Sequence, residues 1–190
     1  MNALKTRIET SGKYLGRGIL KVDSFINHQV DPELMDACGK EFASQFASVR
    51  PTRVLTAEIS GIAPALMAAK YLNVPVVYAR KTKPITMPDT VYLTVAPSHT
   101  KGHMTDLIVS PEYLAKGERV LIIDDFLASG ATILGLVRLA EAAGATVVGI
   151  GTLIEKSFEG GRSALEYLGV PIMSLVTIDK MDENGIVFKE

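Results

Sequence analysis

Val120-Leu121-Ile122-Ile123-Asp124-Asp125-Phe126-Leu127-Ala128-Ser129-Gly130-Ala131-Thr132 is the stretch on which the fold turns. Apolar β-formers without polar alternation predict a strand over Arg119–Ile123 that is covered on both faces, as in a parallel sheet. Two acids end the run, and small residues lead into a helix predicted over Ala131–Ala143. Towards the C-terminus the same unit repeats. A strand over Thr146–Glu155, a helix over Arg162–Leu168 and a strand over Ile172–Ile178 precede a short edge strand over Gly185–Lys189.

Upstream, Leu4 and Ile8 sit one turn apart on a short helix, Asn2–Thr10, stopped at Gly12. Gly16 and Gly18 mark a turn, and Ile19–Val22 reads as extended. Asp31-Pro32-Glu33 opens a helix, with Asp as cap and Pro at the first helical position. Leu34, Cys38, Phe42 and Phe46 then recur every fourth residue until Pro51. A strand over Arg53–Ala57, a helix over Ala63–Leu72 and a strand over Pro75–Arg80 follow. From Lys81 to Lys101 the pattern weakens into a polar excursion with two faint strands, Val91–Val95 and His103–Val109; long excursions of this kind are often functional. No repeat, linker or charge block divides the chain. The expectation is an α/β protein, one domain over residues 1–190, with a twisted parallel sheet and helices on both faces.

Composition narrows the function classes. Of 190 residues, 47% are hydrophobic and 22% charged, which excludes a disordered chain. Lys+Arg 20 against Asp+Glu 21 gives a net charge of −1, which argues against a dedicated nucleic-acid binder. No apolar run reaches the ~18 residues of a membrane span. The opening MNALKTRIET lacks the apolar centre of a signal peptide, and the single cysteine, Cys38, cannot form an internal disulfide, so a cytoplasmic location is expected. Cys38 lies on an apolar helix stripe and reads as inert core. His99 and His103 stand four apart in a Pro/Gly-containing stretch without Cys or an intervening Glu, a poor zinc pattern.

In an open parallel sheet, ligands bind beyond the carboxyl ends of the strands. Asp124 and Asp125 stand at such an end, where paired carboxylates repel and contribute nothing to a core. A carboxylate can accept two hydrogen bonds from a vicinal diol. The residues after them open a helix whose first amides lack partners and carry about half a positive charge. With Ser129 and Thr132 as hydroxyl donors and Gly130 allowing close approach, the turn suits a phosphate. Acid, acid and phosphate cradle in that order match the two ends of a ribose 5-phosphate. Taken singly, the acids would equally suit a Mg²⁺ ion or a solvated turn, and Ser129-Gly130 an ordinary helix cap.

Val120–Thr132 resembles the 5-phosphoribosyl-1-pyrophosphate (PRPP) motif of type I phosphoribosyltransferases, with Ser129 and Ala131 where Thr and Gly are commoner. Leu20–Gln29, Glu58–Pro64 and Ile154–Phe158 extend the likeness to the bacterial xanthine phosphoribosyltransferase family. The resemblance implies the type I fold with a small hood over a base pocket, built from segments near 1–30 and 156–190, and a flexible loop over 81–102. It implies purine salvage: transfer of a phosphoribosyl group to xanthine, giving xanthosine 5′-monophosphate (XMP) and pyrophosphate. Catalytic roles fall to Asp124 and Asp125. PRPP contacts fall to Ala128, Ser129, Gly130, Ala131, Thr132, Ser60, Gly61 and Arg80, and xanthine contacts to Leu20, Asn27 and Lys156. Phe25 and Phe158 are candidates to cover the base or, equally, packing residues. Mg²⁺ is expected with PRPP or pyrophosphate rather than on protein side chains alone, and a homodimer is expected. A guanine or hypoxanthine enzyme and a non-catalytic PRPP-binding regulator are the alternatives; the regulator would need a DNA-binding module and basic excess absent from this sequence.

Overall fold

Val120 and Ile122 pack into one apolar core, and Leu121 and Ile123 into another on the opposite side of the same strand. This alternation follows from the two-residue period of a β-strand. The computed structural model describes residues 1–97 and 104–189. In chain order it contains α1 (Asn2–Ser11), β1 (Lys13–Tyr14), β2 (Leu20–Lys21), a π-helical turn (Asp23–Asn27), α2 (Pro32–Phe46), β3 (Arg53–Ala57), α3 (Ile62–Leu72) and β4 (Val76–Ala79). There follow β5 (Tyr92–Pro97), β6 (Met104–Val109), β7 (Arg119–Leu127), α4 (Ala131–Ala142), β8 (Thr146–Lys156), α5 (Gly161–Leu165), β9 (Ile172–Asp182) and β10 (Gly185–Phe188).

The main sheet has the order β10-β9-β8-β7-β3-β4. Its inner pairs are parallel, and β10 is an antiparallel edge on β9. Helices α1, α2 and α3 cover one face, burying Leu4, Ile8, Phe42, Phe46 and Ala68 against Leu121, Ile123 and Leu153. Helix α4 and Leu165 of α5 cover the other, with Ile133, Leu136 and Ala140 against Leu55, Val120 and Ile122. The cap on α2 is as the sequence suggests: Asp31 accepts from the Leu34 amide at 3.1 Å, with Pro32 in the first turn.

Four expectations are corrected. Strand β7 does not end at Ile123 but continues through both acids to Leu127. The eleven-residue β8 keeps supplying ladder partners, pairing Asp124 with Thr152 and Phe126 with Ile154. β9 likewise runs past Ile178 to Asp182, because β10 folds back on it. Arg80 lies beyond β4 and instead bridges to Ile108 of β6. The segment Arg162–Leu168 is a short α-helix followed by a 3₁₀ turn, Glu166–Leu168.

The weak strands of the excursion form an antiparallel hairpin, β5–β6, packed on α4. Its connecting residues, with His99 and His103 and part of the 81–102 loop, lie outside the described residues. The N-terminal turn is a tight hairpin, with Tyr14 opposite Leu20. Its tip has three successive left-handed residues, Gly16, Arg17 and Gly18, at φ 86°, 51° and 73°.

Candidate active site

The carboxyl ends of β3 and β7, the start of α4 and the N-terminal hairpin enclose a cavity of about 500 Å³. Asp124 and Asp125 stand at its floor. Strand alternation sends them to different environments: Asp124 is only 4% exposed, while Asp125 is half-buried and accepts from the Phe126 amide at 3.0 Å. Loss of water and the neighbouring Asp125 charge hold Asp124 well above the ordinary carboxylate range. Asp125 is also raised, chiefly by burial. Both acids therefore gain from any ligand that brings hydroxyl donors or positive charge.

Beyond β7 the chain turns at Gly130, whose φ of 82° suits glycine, and enters α4 without a side-chain cap. The first amides of α4 thus open toward the cavity, which Ala128, Ser129, Gly130, Ala131 and Thr132 line in succession. A second strand-to-helix turn, Glu58–Gly61, joins β3 to α3 beside it and carries a cis Glu58–Ile59 peptide. Gly61 admits no side chain: a β-carbon there would lie 2.2 Å from Thr56 Oγ1 and 2.6 Å from Asp124 Oδ1. Thr56 Oγ1 is buried without a hydrogen-bond partner among the described residues.

The cavity is also lined by Leu20 from β2, Asn27 from the end of the π-helical turn and Lys156 from the last position of β8. Lys156 is 7% exposed. Its Nζ donates to the Gly18 carbonyl at 2.7 Å, lies 3.2 Å from Glu159 Oε1 and sits 5.4 Å from the centre of the Phe126 ring.

The candidate residues thus converge, with one exception. Arg80 does not line the cavity. Its Nε lies 2.9 Å from Glu58 Oε2, outside hydrogen-bond geometry, and its guanidinium approaches the Tyr78 ring. The adjacent Lys81 lines the cavity instead, its amide donating to Glu58 Oε1 at 2.7 Å. Phe25 is fully buried in the core, and Phe158 is 47% exposed. Lys81 belongs to the Arg80-Lys81-Thr82-Lys83 run that the sequence offers as cations for an anionic substrate, whereas the lining residues Arg17 and Phe126 were not singled out from sequence as site residues. Phe126 was accessible to such reasoning, since it stands two residues from Asp124 on the same side of the strand. No cluster of three or more His, Cys, Asp or Glu suited to a metal occurs among the described residues. No helix among them is long and apolar enough to cross a membrane.

Residues 31–179 match the family described as phosphoribosyl transferase domain. A xanthine phosphoribosyltransferase of Deinococcus deserti is 48% identical over all of this chain and 98% of its own length. One from Listeria monocytogenes is 46% identical and one from Geobacillus thermodenitrificans 50%, each over all of this chain and 99% and 98% of theirs. Among solved structures, an adenine phosphoribosyltransferase of Rhodothermus marinus superposes with a TM-score of 0.74 at 26% identity, covering 93% of this chain and 99% of its own. The Giardia lamblia APRTase complexed with 9-deazaadenine superposes at 0.76 and 22%, covering 93% and 98%, a likeness of fold alone. With an acid pair near the end of β7 ahead of a helix mouth, and with relatives this close over the whole length, the chain belongs to the phosphoribosyl transferase family.

Proposed function

We propose that this protein transfers the 5-phosphoribosyl group of PRPP to N9 of xanthine, releasing pyrophosphate and giving XMP in purine salvage. The observation that carries this reading is one cavity lined by both the phosphate-type helix mouth of α4 and the buried Lys156. The full-length xanthine phosphoribosyltransferase relatives support the choice of base. An ammonium donates only, so Lys156 suits a purine oxo group and not the 6-amino group of adenine, even though the structural neighbours are adenine enzymes. Asn27 offers both a donor and an acceptor, and Leu20 an apolar edge.

The 5-phosphate sits on the amides of Ala128–Thr132, with the Ser129 and Thr132 hydroxyls. Asp124 and Asp125 grip the ribose 2′ and 3′ hydroxyls. As the bond from C1 to pyrophosphate breaks, positive charge grows on the ribose, and both carboxylates stabilise it. The protein needs little covalent chemistry here; orientation supplies much of the rate. Asp125 takes the proton from the purine on its N7 side, and its raised pKa makes it a better base for that step. Ser60 and Gly61 receive the pyrophosphate with backbone groups. Lys81 supplies the cation over it, with Arg80 and Glu58 holding that turn in place.

The donor chemistry fits Mg²⁺: the two acids are hard oxygen ligands held in a desolvated cleft, too few to cage the ion alone. Bound with PRPP, the ion supplies charge neutralisation on the leaving group. Residues near 1–30 and 156–189 form the hood over the base, and the loop ahead of β5, residues 81–91, closes the site. Ile59, Leu66 and Tyr78, all exposed near the β4 edge of the sheet, support a homodimer.

Pyrophosphate release from PRPP and Mg²⁺ with xanthine, guanine, hypoxanthine or adenine tests the reading. Xanthine turning over best is the expected result. A guanine or hypoxanthine preference reassigns the base, and no release with any base makes the chain a PRPP binder without catalysis.

A further inference from the structure

We propose that Glu159, which does not line the cavity, is a positioning residue that fixes base selection by holding the Lys156 ammonium in place and so aiming a donor into the cavity. The inference rests on the reading of Lys156 as the residue that meets a purine oxygen. An ammonium has three N–H donors and no acceptor. In this structure the Gly18 carbonyl accepts one of them at 2.7 Å, and Glu159 Oε1, 3.2 Å from Nζ, is the ion-pair partner that holds the head from a second side. Both side chains of the ion pair are withdrawn from solvent, at 8% and 17% exposure. A donor not taken by Gly18 is left for the cavity that Lys156 lines.

The two oxygens come from different parts of the chain. Gly18 belongs to the N-terminal hairpin, 138 residues away from Lys156, while Glu159 lies one turn beyond β8. They meet at one place: a β-carbon on Gly18 would come within 3.6 Å of Glu159 Oε1. Glu159 therefore sits at the joint between hairpin and strand end and supplies the counter-charge a buried lysine needs. Without it, the ammonium keeps the neutral Gly18 carbonyl and the face of the Phe126 ring but no counter-charge. It then turns toward water or other acceptors, and the donor aimed at the base loses its direction. A single aimed donor favours an oxo group and leaves an amino group facing another donor, a mismatch that costs affinity.

The test compares the wild-type protein with Glu159→Ala and Glu159→Gln, measuring binding of XMP, AMP and ribose 5-phosphate by calorimetry. The wild type should prefer XMP to AMP. Glu159→Ala should lower the XMP-to-AMP affinity ratio about tenfold and leave ribose 5-phosphate binding unchanged. Glu159→Gln, which keeps an oxygen at the same reach but not the charge, should restore only part of the ratio. If Glu159→Ala does not fold, Glu159→Asp, too short to span the gap, takes its place. An unchanged ratio in the variant, or an equal loss of ribose 5-phosphate binding, overturns the role of Glu159. A wild-type protein that binds AMP as well as XMP overturns instead the reading of the base pocket.

Discussion

The amide of Gly161 donates to the carbonyl of Ala128 at 2.9 Å, so the start of α5 is stitched to the turn that opens α4. The contact has no slack. A β-carbon at Gly161 would fall 2.3 Å from the Ala128 oxygen and 2.8 Å from the Gly130 nitrogen. Backbone, not a flexible side-chain end, would have to move, and it is the backbone assigned to the 5-phosphate. Gly161→Ala should therefore raise the KM for PRPP about tenfold or more, since small misplacements of a binding loop are costly. The KM for xanthine should change little. Steady-state kinetics with each substrate varied in turn checks this; equal changes in both constants would mean a general loss of structure.

The acid pair links activity to stability. A carboxyl whose pKa rises on folding holds its proton more tightly in the folded chain than in the unfolded one. Folding is then least hindered below about pH 4, the unfolded value, and loses stability as pH climbs through the folded value. Asp124 is raised most, so at neutral pH its charge opposes folding of the unliganded protein. Asp124→Asn should raise the Tm at pH 7 by about 3 °C, with the gain vanishing near pH 4. Asp125→Asn should lower kcat on the order of 10²-fold, because a charge aimed at the transition state is lost. Calorimetric scans across pH and initial rates read the two effects separately.

Base choice should follow Asn27. Xanthine carries an oxo group at C2 that hypoxanthine lacks, and a donor built for it is left unpaired when hypoxanthine binds, at a cost of roughly 1–3 kcal/mol. Asn27→Ala should reduce the xanthine-to-hypoxanthine ratio of kcat/KM about tenfold. A ratio equal to that of the wild type would remove Asn27 from base recognition.

The phosphate end of the site was legible because it is local. Strand, acids, glycine turn and helix start lie in one unbroken stretch, and each residue's conformation follows from its neighbours. The base end is assembled from distant segments. That Lys156 faces the Gly18 carbonyl depends on how the hairpin settles on β8, and two-residue strands such as β1 and β2 carry no periodic signal. That Lys81 and not Arg80 lines the cavity was hidden for a similar reason. Consecutive residues point apart at a strand end, and only the position of Glu58 decides which cation is drawn away.

Cys38 should be unreactive in the folded protein. It is fully buried on α2 near the Met1 sulfur, and burial pushes its thiol up to about 12. The nucleophile is the thiolate, so at pH 8 both access and ionisation are denied. Iodoacetamide should leave native Cys38 unlabelled over an hour and modify it fully in urea, as read by intact mass. Rapid native labelling would show that α2 opens far more readily than its packing suggests.

Below the sheet's carboxyl edge, Glu155 is buried at 3% exposure and held by Arg162. Arg162 Nε and Nη2 donate to Glu155 Oε1 and Oε2 at 2.8 and 2.5 Å, the Ser174 hydroxyl donates to Oε2 at 2.7 Å, and the third guanidinium nitrogen, Nη1, donates to the Ile172 carbonyl at 3.0 Å. Burial alone would raise the carboxyl pKa, but the hydrogen bonds from Arg162 and Ser174 overcome it and the net shift is downward. A depressed carboxyl contributes stability above its unfolded value and loses it as pH falls through the folded one. Glu155→Gln should therefore destabilise the protein at pH 7 by about 2 kcal/mol, discounted from a fully buried pair because Arg162 is partly exposed. The gap between variant and wild type should narrow steadily below about pH 4, where the wild-type carboxylate also takes up its proton. Urea midpoints at pH 7 and pH 3.5 measure it. A constant difference at both would mean that the fork acts through shape, with its charge contributing nothing.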